Sequence, residues 1–298
     1  MYPVKACSQN AKLLPLMATA MLALLSSAVF AGPADRFADV QMQAQHVSGS
    51  VHMLQGAGGN IGVSVGADGT MIIDDQFAPL ADKITAAIGE LGGDQPRLVL
   101  NTHYHGDHTG SNPHFGKAGT IIAHDNVRVR LLDQEDYPRS GLPLVTYDDT
   151  LNVHFNDDTI ALIHLPTGHT DGDTVVWFKQ ANVVHMGDHF FKGRFPYVDI
   201  EGGGNVDGFI ANVRKVIDMV PADCKIIPGH GTLSTVADLQ ATIDTVAASV
   251  ALIRTGLADG KTPKALIKAL DKQYPKYGTG FINAERWVSI VQSDTSAD

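Results

Sequence analysis

The chain has 298 residues, with 22 Lys and Arg against 32 Asp and Glu and a formal charge of −10. This acidic balance argues against a nucleic-acid partner or an anionic membrane surface, because phosphate binding depends mainly on Lys and Arg. The hydrophobic content of 44% indicates a globular protein, and the two cysteines exclude a disulfide scaffold.

The N-terminal residues 1–31 have the pattern of a secretory signal peptide. Two lysines and no acidic residue precede an apolar run over residues 13–30, which leads into the small residue Ala31. This order is typical of a cleaved export signal. We therefore expect a periplasmic or secreted protein of residues 32–298. No later segment approaches the length of apolar run that spans a bilayer, so we expect no membrane contact after cleavage.

The first half of the mature chain is predicted to be rich in β-strands. Apolar residues alternate or cluster in short runs that end at Gly-rich turns, which is typical of strands joined by hairpins. The Gly-rich loop over residues 55–59 separates the first two strands. The predicted strands cover residues 47–54, 60–65, 71–75 and 97–101, and a helix covers residues 78–91.

Strands and helices then alternate to the end of the chain. The strands are expected at 120–123, 159–165, 174–178, 182–186 and 225–228, and the helices at 125–132, 206–220, 236–257 and from Thr262 onward. Two clusters of strands, each followed by helices, predict two β-sheets covered by helices on their outer faces in a single domain. The loops at 55–60, 137–146 and 192–206 are expected to shape any pocket.

The strongest chemical signal is a group of four side chains that can bind metal within residues 103–108. His103 and His105 are two positions apart, so they point to the same side at the end of an extended strand. Asp107 and His108 follow on a turn that contains a glycine. Imidazole and carboxylate groups are standard zinc ligands, so one ion could take the first pair and a second ion the other pair.

Three further side chains of the same kind follow predicted strands. His169 lies on a glycine turn, Asp188 ends an apolar strand, and His230 stands between two glycines after another strand. Strand ends at one edge of a sheet are where α/β proteins gather functional groups.

In order and spacing, these motifs resemble those of the metallo-β-lactamase superfamily, over about residues 45–260, and Asp74 is similar to an early aspartate of that family. The resemblance implies an αββα sandwich, a mixed α/β architecture with a binuclear metal site at one edge. It assigns His103, His105 and His169 to one ion and Asp107, His108 and His230 to the other, with Asp188 bridging the two. Zinc is the default metal for such ligands, while Mn and Fe remain open because no cysteine selects against them.

The reaction implied by this site is hydrolysis of a small molecule. A hydroxide bridging the two ions would open a carbonyl bond in a β-lactam, lactone, ester or thioester, with Asp107 orienting it and Asp188 holding both ions. The loop at 55–59 and the export signal resemble the β-lactamase branch. Asp188, however, stands where the best-known secreted lactamases have cysteine, and aspartate is typical of thioester, lactone and phosphodiester hydrolases.

Two alternatives and three further residues complete the sequence-based expectations. A phosphodiesterase or nuclease of the same fold is one alternative, and a metal-binding redox protein without hydrolysis is the other. Lys192, Arg194 and Asn205 follow the Asp188 motif and could contact substrate, although ordinary surface positions are the favoured explanation of the two basic residues. The sequence predicts no oligomeric state.

Overall fold

The computed structural model describes residues 35–295, so the predicted signal peptide at 1–31 lies outside the described residues. The strands of this region form two sheets. In the first sheet the strands follow chain order, with antiparallel pairing from β1 to β4 and parallel pairing from β4 to β7. Its strands are β1 (Gln43–Ser48), β2 (Val51–Gln55), β3 (Ile61–Gly66), β4 (Gly69–Ile73), β5 (Leu98–Leu100), β6 (Thr120–His124) and β7 (Val145–Tyr147).

The second sheet has the strand order β13-β12-β11-β10-β9-β8. Its pairs are antiparallel except for β11 and β12, which run parallel. Its strands are β8 (Thr150–Phe155), β9 (Asp158–His164), β10 (Thr174–Phe178), β11 (Val183–His185), β12 (Lys225–Ile227) and β13 (Ser234–Thr235).

Helices connect the strands and cover both sheets. Those of the described region are α1 (Ala81–Glu90), α2 (Gly106–Thr109), α3 (Asn112–Phe115), α4 (Asp125–Leu132), α5 (Val206–Met219), α6 (Val236–Ala258), α7 (Pro263–Gln273) and α8 (Ala284–Thr295). Parallel neighbours need long connections, which is why α1 lies between β4 and β5, and α5 between β11 and β12.

The core consists of three apolar layers set by the two-residue period of the strands. Met71 of β4 and Val176 of β10 belong to a cluster between the two sheets, whereas their neighbours Ile72 and Val175 face the outer layers. Successive strand residues point to opposite faces, so each buried strand feeds two layers. Helix α1 covers the first sheet, and α5, α6 and α8 cover the second. The predicted αββα sandwich is confirmed.

Two strand predictions were wrong in detail. The expected strand at 47–54 is the hairpin of β1 and β2, which reverses at Gly49, where φ is +55°. The chain from 145 to 155 forms β7 and β8, although residues up to 146 were expected to be a loop. Strand β8 is an edge strand in which Leu151, Val153 and Phe155 alternate with exposed polar residues, so it lacks the continuous apolar run typical of a buried strand.

Helix α6 departs from the expectation that no later segment is apolar enough to span a membrane. Among the described residues, its 23 residues meet that criterion by length and composition. Its side chains Leu239, Ile243, Val246 and Ile253 are buried in the cluster that covers the second sheet. The apolar character of α6 is therefore used in packing within the sandwich.

Candidate metal centre

Strand ends from both sheets bring the predicted metal ligands together. His103 and His105 follow β5 of the first sheet, while His169, Asp188 and His230 follow β9, β11 and β12 of the second. Because these strands end at the same edge of the sandwich, side chains far apart in sequence converge there.

The first group contains His103, His105, His169 and Asp188, with one candidate ligand atom from each within 4.8 Å of the others. The Oδ2 atom of Asp188 lies 3.9 Å from Nε2 of His103 and 3.6 Å from Nε2 of His169. His105 directs its Nδ1 to within 2.9 Å of Nε2 of His169. Three imidazoles therefore converge on one side of the Asp188 carboxylate.

The second group contains Asp107, His108 and His230, whose candidate ligand atoms also lie within 4.8 Å of one another. The other oxygen of Asp188, Oδ1, lies 3.1 Å from Nε2 of His108 and 3.3 Å from Nε2 of His230. Oδ2 of Asp107 lies 3.5 Å from Nε2 of His230. The Asp188 carboxylate thus presents one oxygen to each group.

Orphaned polar atoms in this centre fit a metal site. Among the described residues, Nε2 of His103, Nε2 of His108 and Oδ1 of Asp188 are buried and have no hydrogen-bond partner. Buried polar groups without partners are costly, so each needs a physical explanation. All three point into the centre and belong to the imidazole and carboxylate classes that bind divalent cations.

The electrostatic environment agrees with this interpretation. Burial and the neighbouring His108 and His169 rings hold the pKa of His103 well below its usual range, and burial lowers the pKa of His169 to about 3. Both rings are therefore neutral and can offer a lone pair. Although burial opposes ionisation of Asp188, His230 and His108 hold its pKa well below the ordinary value. The centre thus combines the neutral rings of His103 and His169 with an ionised Asp188 carboxylate. Although burial opposes it, the carboxylates of Asp188, Asp107 and Asp74 raise the pKa of His108 well above its usual range.

Asp74 supports the loop that carries the metal ligands through hydrogen bonds, as its position in the sequence suggests. It is fully buried and accepts hydrogen bonds from the backbone N–H and the hydroxyl of Thr102, both at 2.8 Å. Its Oδ2 also lies 2.7 Å from Nδ1 of His108. Because a carboxylate accepts hydrogen bonds, Nδ1 of His108 carries a proton, which leaves Nε2 as the ring atom that a cation in the centre would take.

Asp199 has a similar position beside His105, and sequence reasoning missed it. Its Oδ2 lies 2.9 Å from Nε2 of His105 and accepts a hydrogen bond from the hydroxyl of Tyr104. Its other oxygen accepts from the backbone N–H of Gly202. No local motif marks Asp199, because it contacts His105 across 94 positions of the chain. This contact fixes the orientation of the His105 ring.

The Gly-rich loop at 55–59 packs against the ligands instead of lining the cavity in front of them. Gly59 donates its backbone N–H to the carbonyl of Asp107 at 3.1 Å. A Cβ atom at Gly59 would lie only 2.2 Å from Cε1 of His108. The absence of a side chain at Gly59 therefore lets the loop cover the His108 ring.

The three candidate substrate contacts have different surroundings. Arg194 is exposed and lines a cavity that opens onto the metal centre. Lys192 points elsewhere, donating to the carbonyl of Leu233 at 3.3 Å and lying 3.7 Å from Asp238. Asn205 is the N-cap of α5, accepts from the Gly208 N–H at 2.7 Å and donates to Asp294. The structure therefore brings only Arg194 of the three to the cavity, because helix capping and a surface ion pair occupy the others.

The cavity has a volume of about 440 Å³, within the range of small-molecule sites. Its floor carries polar groups of the metal centre, and its walls are mostly aromatic. The lining residues are Phe77, His105, Asp107, Asp188, Phe191, Arg194, Phe195, Tyr197, His230, Phe281 and Ile282.

Comparison with known sequences identifies similar proteins. Residues 56–230 match the Metallo-beta-lactamase superfamily. An acyl-coenzyme A thioesterase, MBLAC2, from Gallus gallus is 25% identical over 46% of this chain and 57% of its own length. A hydroxyacylglutathione hydrolase from Nitrosococcus oceani is 26% identical over 51% of this chain and 55% of its own. A probable metallo-hydrolase, YqgX, from Bacillus subtilis is 27% identical over 54% of this chain and 82% of its own. The chain spans little more than half the length of the first two.

Solved structures with the same fold are also similar. A metallo-beta-lactamase from Pontibacter korlensis superposes with a TM-score of 0.61 and 14% identity, covering 70% of this chain and 99% of its own. The DIM-1 metallo-beta-lactamase gives a TM-score of 0.61 and 16% identity, covering 71% of this chain and all of its own. At this identity the likeness concerns the fold.

Proposed function

Because the chain belongs to the metallo-β-lactamase superfamily, we propose that it is a binuclear zinc hydrolase that cleaves a carbonyl bond in a small molecule. The candidates are thioesters, lactones, esters and β-lactams. Relatives named as a thioesterase and as a hydroxyacylglutathione hydrolase support the carbonyl class. The net charge of −10 weighs against a nucleic-acid substrate.

The observation that carries the proposal is that Asp188 lies between the two ligand groups. Its oxygens lie at 3.1–3.9 Å from imidazole nitrogens of the two ligand groups. In this proposal, one oxygen of Asp188 would bind a cation held by His103, His105 and His169. The other oxygen would bind a cation held by Asp107, His108 and His230. Zinc suits this mixture of imidazole and carboxylate ligands, and Mn or Fe would also be compatible.

In the proposed hydrolysis, the side chains around the cavity have different roles. Divalent cations in this centre would make a water molecule nucleophilic near neutral pH and would polarise the substrate carbonyl. Asp107 lines the cavity and can accept a hydrogen bond from the attacking water, which orients it. Asp74 and Asp199 hold the rings of His108 and His105 so that the ligand set is preorganised. Arg194 supplies a positive charge at the cavity wall.

Replacement of the bridging carboxylate tests this proposal. Asp188→Ala is expected to lower the bound zinc, measured by elemental analysis, together with hydrolysis of a panel of thioesters, lactones, nitrocefin and p-nitrophenyl esters. Asp158→Asn is a matched control, because Asp158 is also buried but accepts backbone hydrogen bonds from Gln180 and Ala181. Full hydrolysis by a metal-free variant would overturn the proposal.

The same panel separates the alternatives. Turnover of bis-p-nitrophenyl phosphate without turnover of any carbonyl substrate would favour a phosphodiesterase. A protein purified with iron but no zinc, and without hydrolysis, would favour a redox protein.

We also propose that the protein is exported, on the basis of the signal pattern in residues 1–31. Expression in a Gram-negative host should give a periplasmic product that begins near Gly32, which N-terminal sequencing would show. A full-length product retained in the cytoplasm would contradict export.

A further inference from the structure

One wall of the cavity comes from a part of the chain beyond the family match. The match ends at residue 230, whereas Phe281 and Ile282 lie between α7 and α8. Both residues line the cavity that opens onto the metal centre. The C-terminal helices therefore shape the space where a substrate would lie, and that shape is a property of this chain beyond the matched region.

Phe281 is unusual because its ring is exposed yet held in place. The residue is 72% exposed, one of the most exposed large apolar residues of the described chain. The guanidinium of Arg286 lies 4.8 Å from the centre of the Phe281 ring, and its Nη1 donates to the Phe281 carbonyl at 2.9 Å. The ring of Tyr197 meets it edge-on at 6.1 Å. An apolar ring fixed at the mouth of a cavity is ready for contact with an apolar ligand.

This wall is tied to the metal centre through the loop that follows Asp188. The backbone N–H of Phe195 donates to the carbonyl of Tyr277 at 3.1 Å, and the Phe195 ring stacks on Trp287 at 5.7 Å. Two residues later, the carbonyl of Tyr197 lies 2.7 Å from Nδ1 of His169. Tyr197, whose ring contacts Phe281, therefore links this wall to His169 of the first ligand group, and such support is what a specificity residue requires.

The residues that line the cavity also fall into two chemical classes, one polar and one apolar. Carboxylates and imidazoles form the floor, where a carbonyl group would react. Six apolar or aromatic residues form the walls: Phe77, Phe191, Phe195, Tyr197, Phe281 and Ile282. Burial of apolar surface is favourable, so such walls select a substrate with an apolar body next to its reactive carbonyl.

We propose that Phe281 and Ile282 make this cavity selective for carbonyl substrates with an apolar acyl chain of medium length, which lies against the aromatic walls. This inference rests on the proposed hydrolase function. It assigns to the C-terminal helices a role in substrate choice.

The proposal predicts a chain-length preference. Each methylene buried in the cavity should raise kcat/KM about fourfold, so about four buried methylenes give a preference of about two orders of magnitude. The zinc-loaded protein should therefore prefer p-nitrophenyl octanoate to p-nitrophenyl acetate by about this factor. Phe281→Ala removes one wall and should lower kcat/KM for octanoate esters about tenfold, with little change for acetate esters. Phe281→Leu should retain most of the preference.

Leu144→Ala is the matched control, because Leu144 is 78% exposed and does not line the cavity. Binding of octanoate, measured by calorimetry on the metal-loaded proteins, gives a readout that does not depend on turnover. It should weaken about tenfold in Phe281→Ala and stay unchanged in Leu144→Ala. Equal turnover of acetate and octanoate esters, or octanoate binding unaffected by Phe281→Ala, would overturn the inference. Absence of all hydrolysis with intact, Phe281-dependent octanoate binding would instead contradict the hydrolase proposal alone.

Discussion

Asp74→Asn replaces one oxygen of a fully buried carboxylate with an NH₂ group. The hydrogen bonds around Asp74 show how this change would affect the metal ligands. In the native protein, Oδ1 accepts from the Thr102 N–H, and Oδ2 accepts from the Thr102 hydroxyl and faces Nδ1 of His108 at 2.7 Å. An asparagine keeps the shape but has a single oxygen. That oxygen must face the Thr102 N–H, since the backbone can only donate, so the amide NH₂ group faces His108.

The amide then reverses the tautomer of His108. An NH₂ group donates to Nδ1, so the proton of the neutral ring moves to Nε2, the atom that faces the ligand group. A protonated nitrogen has no lone pair for a metal. The opposite amide orientation would leave the Thr102 N–H without an acceptor, at a cost of about 1–3 kcal/mol. Either outcome corresponds to a loss of about tenfold to a hundredfold in metal affinity, the range typical of such supporting residues.

A zinc titration against a chromophoric chelator measures this effect. We expect the variant to lose affinity mainly for the ion assigned to Asp107, His108 and His230. The ion assigned to His103, His105 and His169 should be affected less, because Asp74 reaches His103 only through the hydroxyl of Thr102. The control for the general cost of the change is Asp158→Asn, because Asp158 is a buried aspartate at the first position of β9. Native affinity and stoichiometry in Asp74→Asn would refute the tautomer argument.

Two further predictions concern the Gly-rich loop and the response to acid. Gly59→Ala should lower zinc affinity at least about tenfold, because its Cβ would lie 2.2 Å from Cε1 of His108. Gly89→Ala in α1, where a Cβ meets nothing within 4 Å, should leave zinc affinity unchanged, and equal affinities in the two variants would contradict the steric argument. Burial, together with the His124 ring stacked on it at 3.8 Å, lowers the pKa of His164, while Asp149 and Asp171 oppose this effect. The unfolded chain therefore takes up a proton first as the pH falls below about 6.5, and the folded protein loses stability. Urea unfolding at pH 7.5 and 5.5 should show a smaller loss for His164→Gln than for the native protein, and equal losses would argue against this role of His164.

Much of the fold and of the ligand set could be predicted from the sequence because both depend on local patterns. The apolar runs of β4, β10 and β11 feed layers on both faces, so the pattern that predicts them also predicts a sandwich. His103 to His108 are neighbours in the chain, and the strand ends that carry His169, Asp188 and His230 are marked by glycines.

Other features depend on contacts that no local pattern records. Asp199 reaches His105 across the sandwich, and Phe281 reaches the cavity from the C-terminal helices. Strand β8 and Asn205 are different cases, because local signals for both were available in the sequence. The apolar residues of β8 alternate with polar ones, which is typical of a half-buried strand. An asparagine just before an apolar helix is a recognised N-cap.

The distribution of the ligands over both sheets has a consequence for folding. His103, His105, Asp107 and His108 come from the edge of one sheet, and His169, Asp188 and His230 come from the other. Only a molecule whose two sheets have docked can present the complete set, so metal binding reports that docking has occurred and adds its free energy to the folded state alone. If the centre binds metal as proposed, chains without metal would unfold more readily and would be more open to proteolysis.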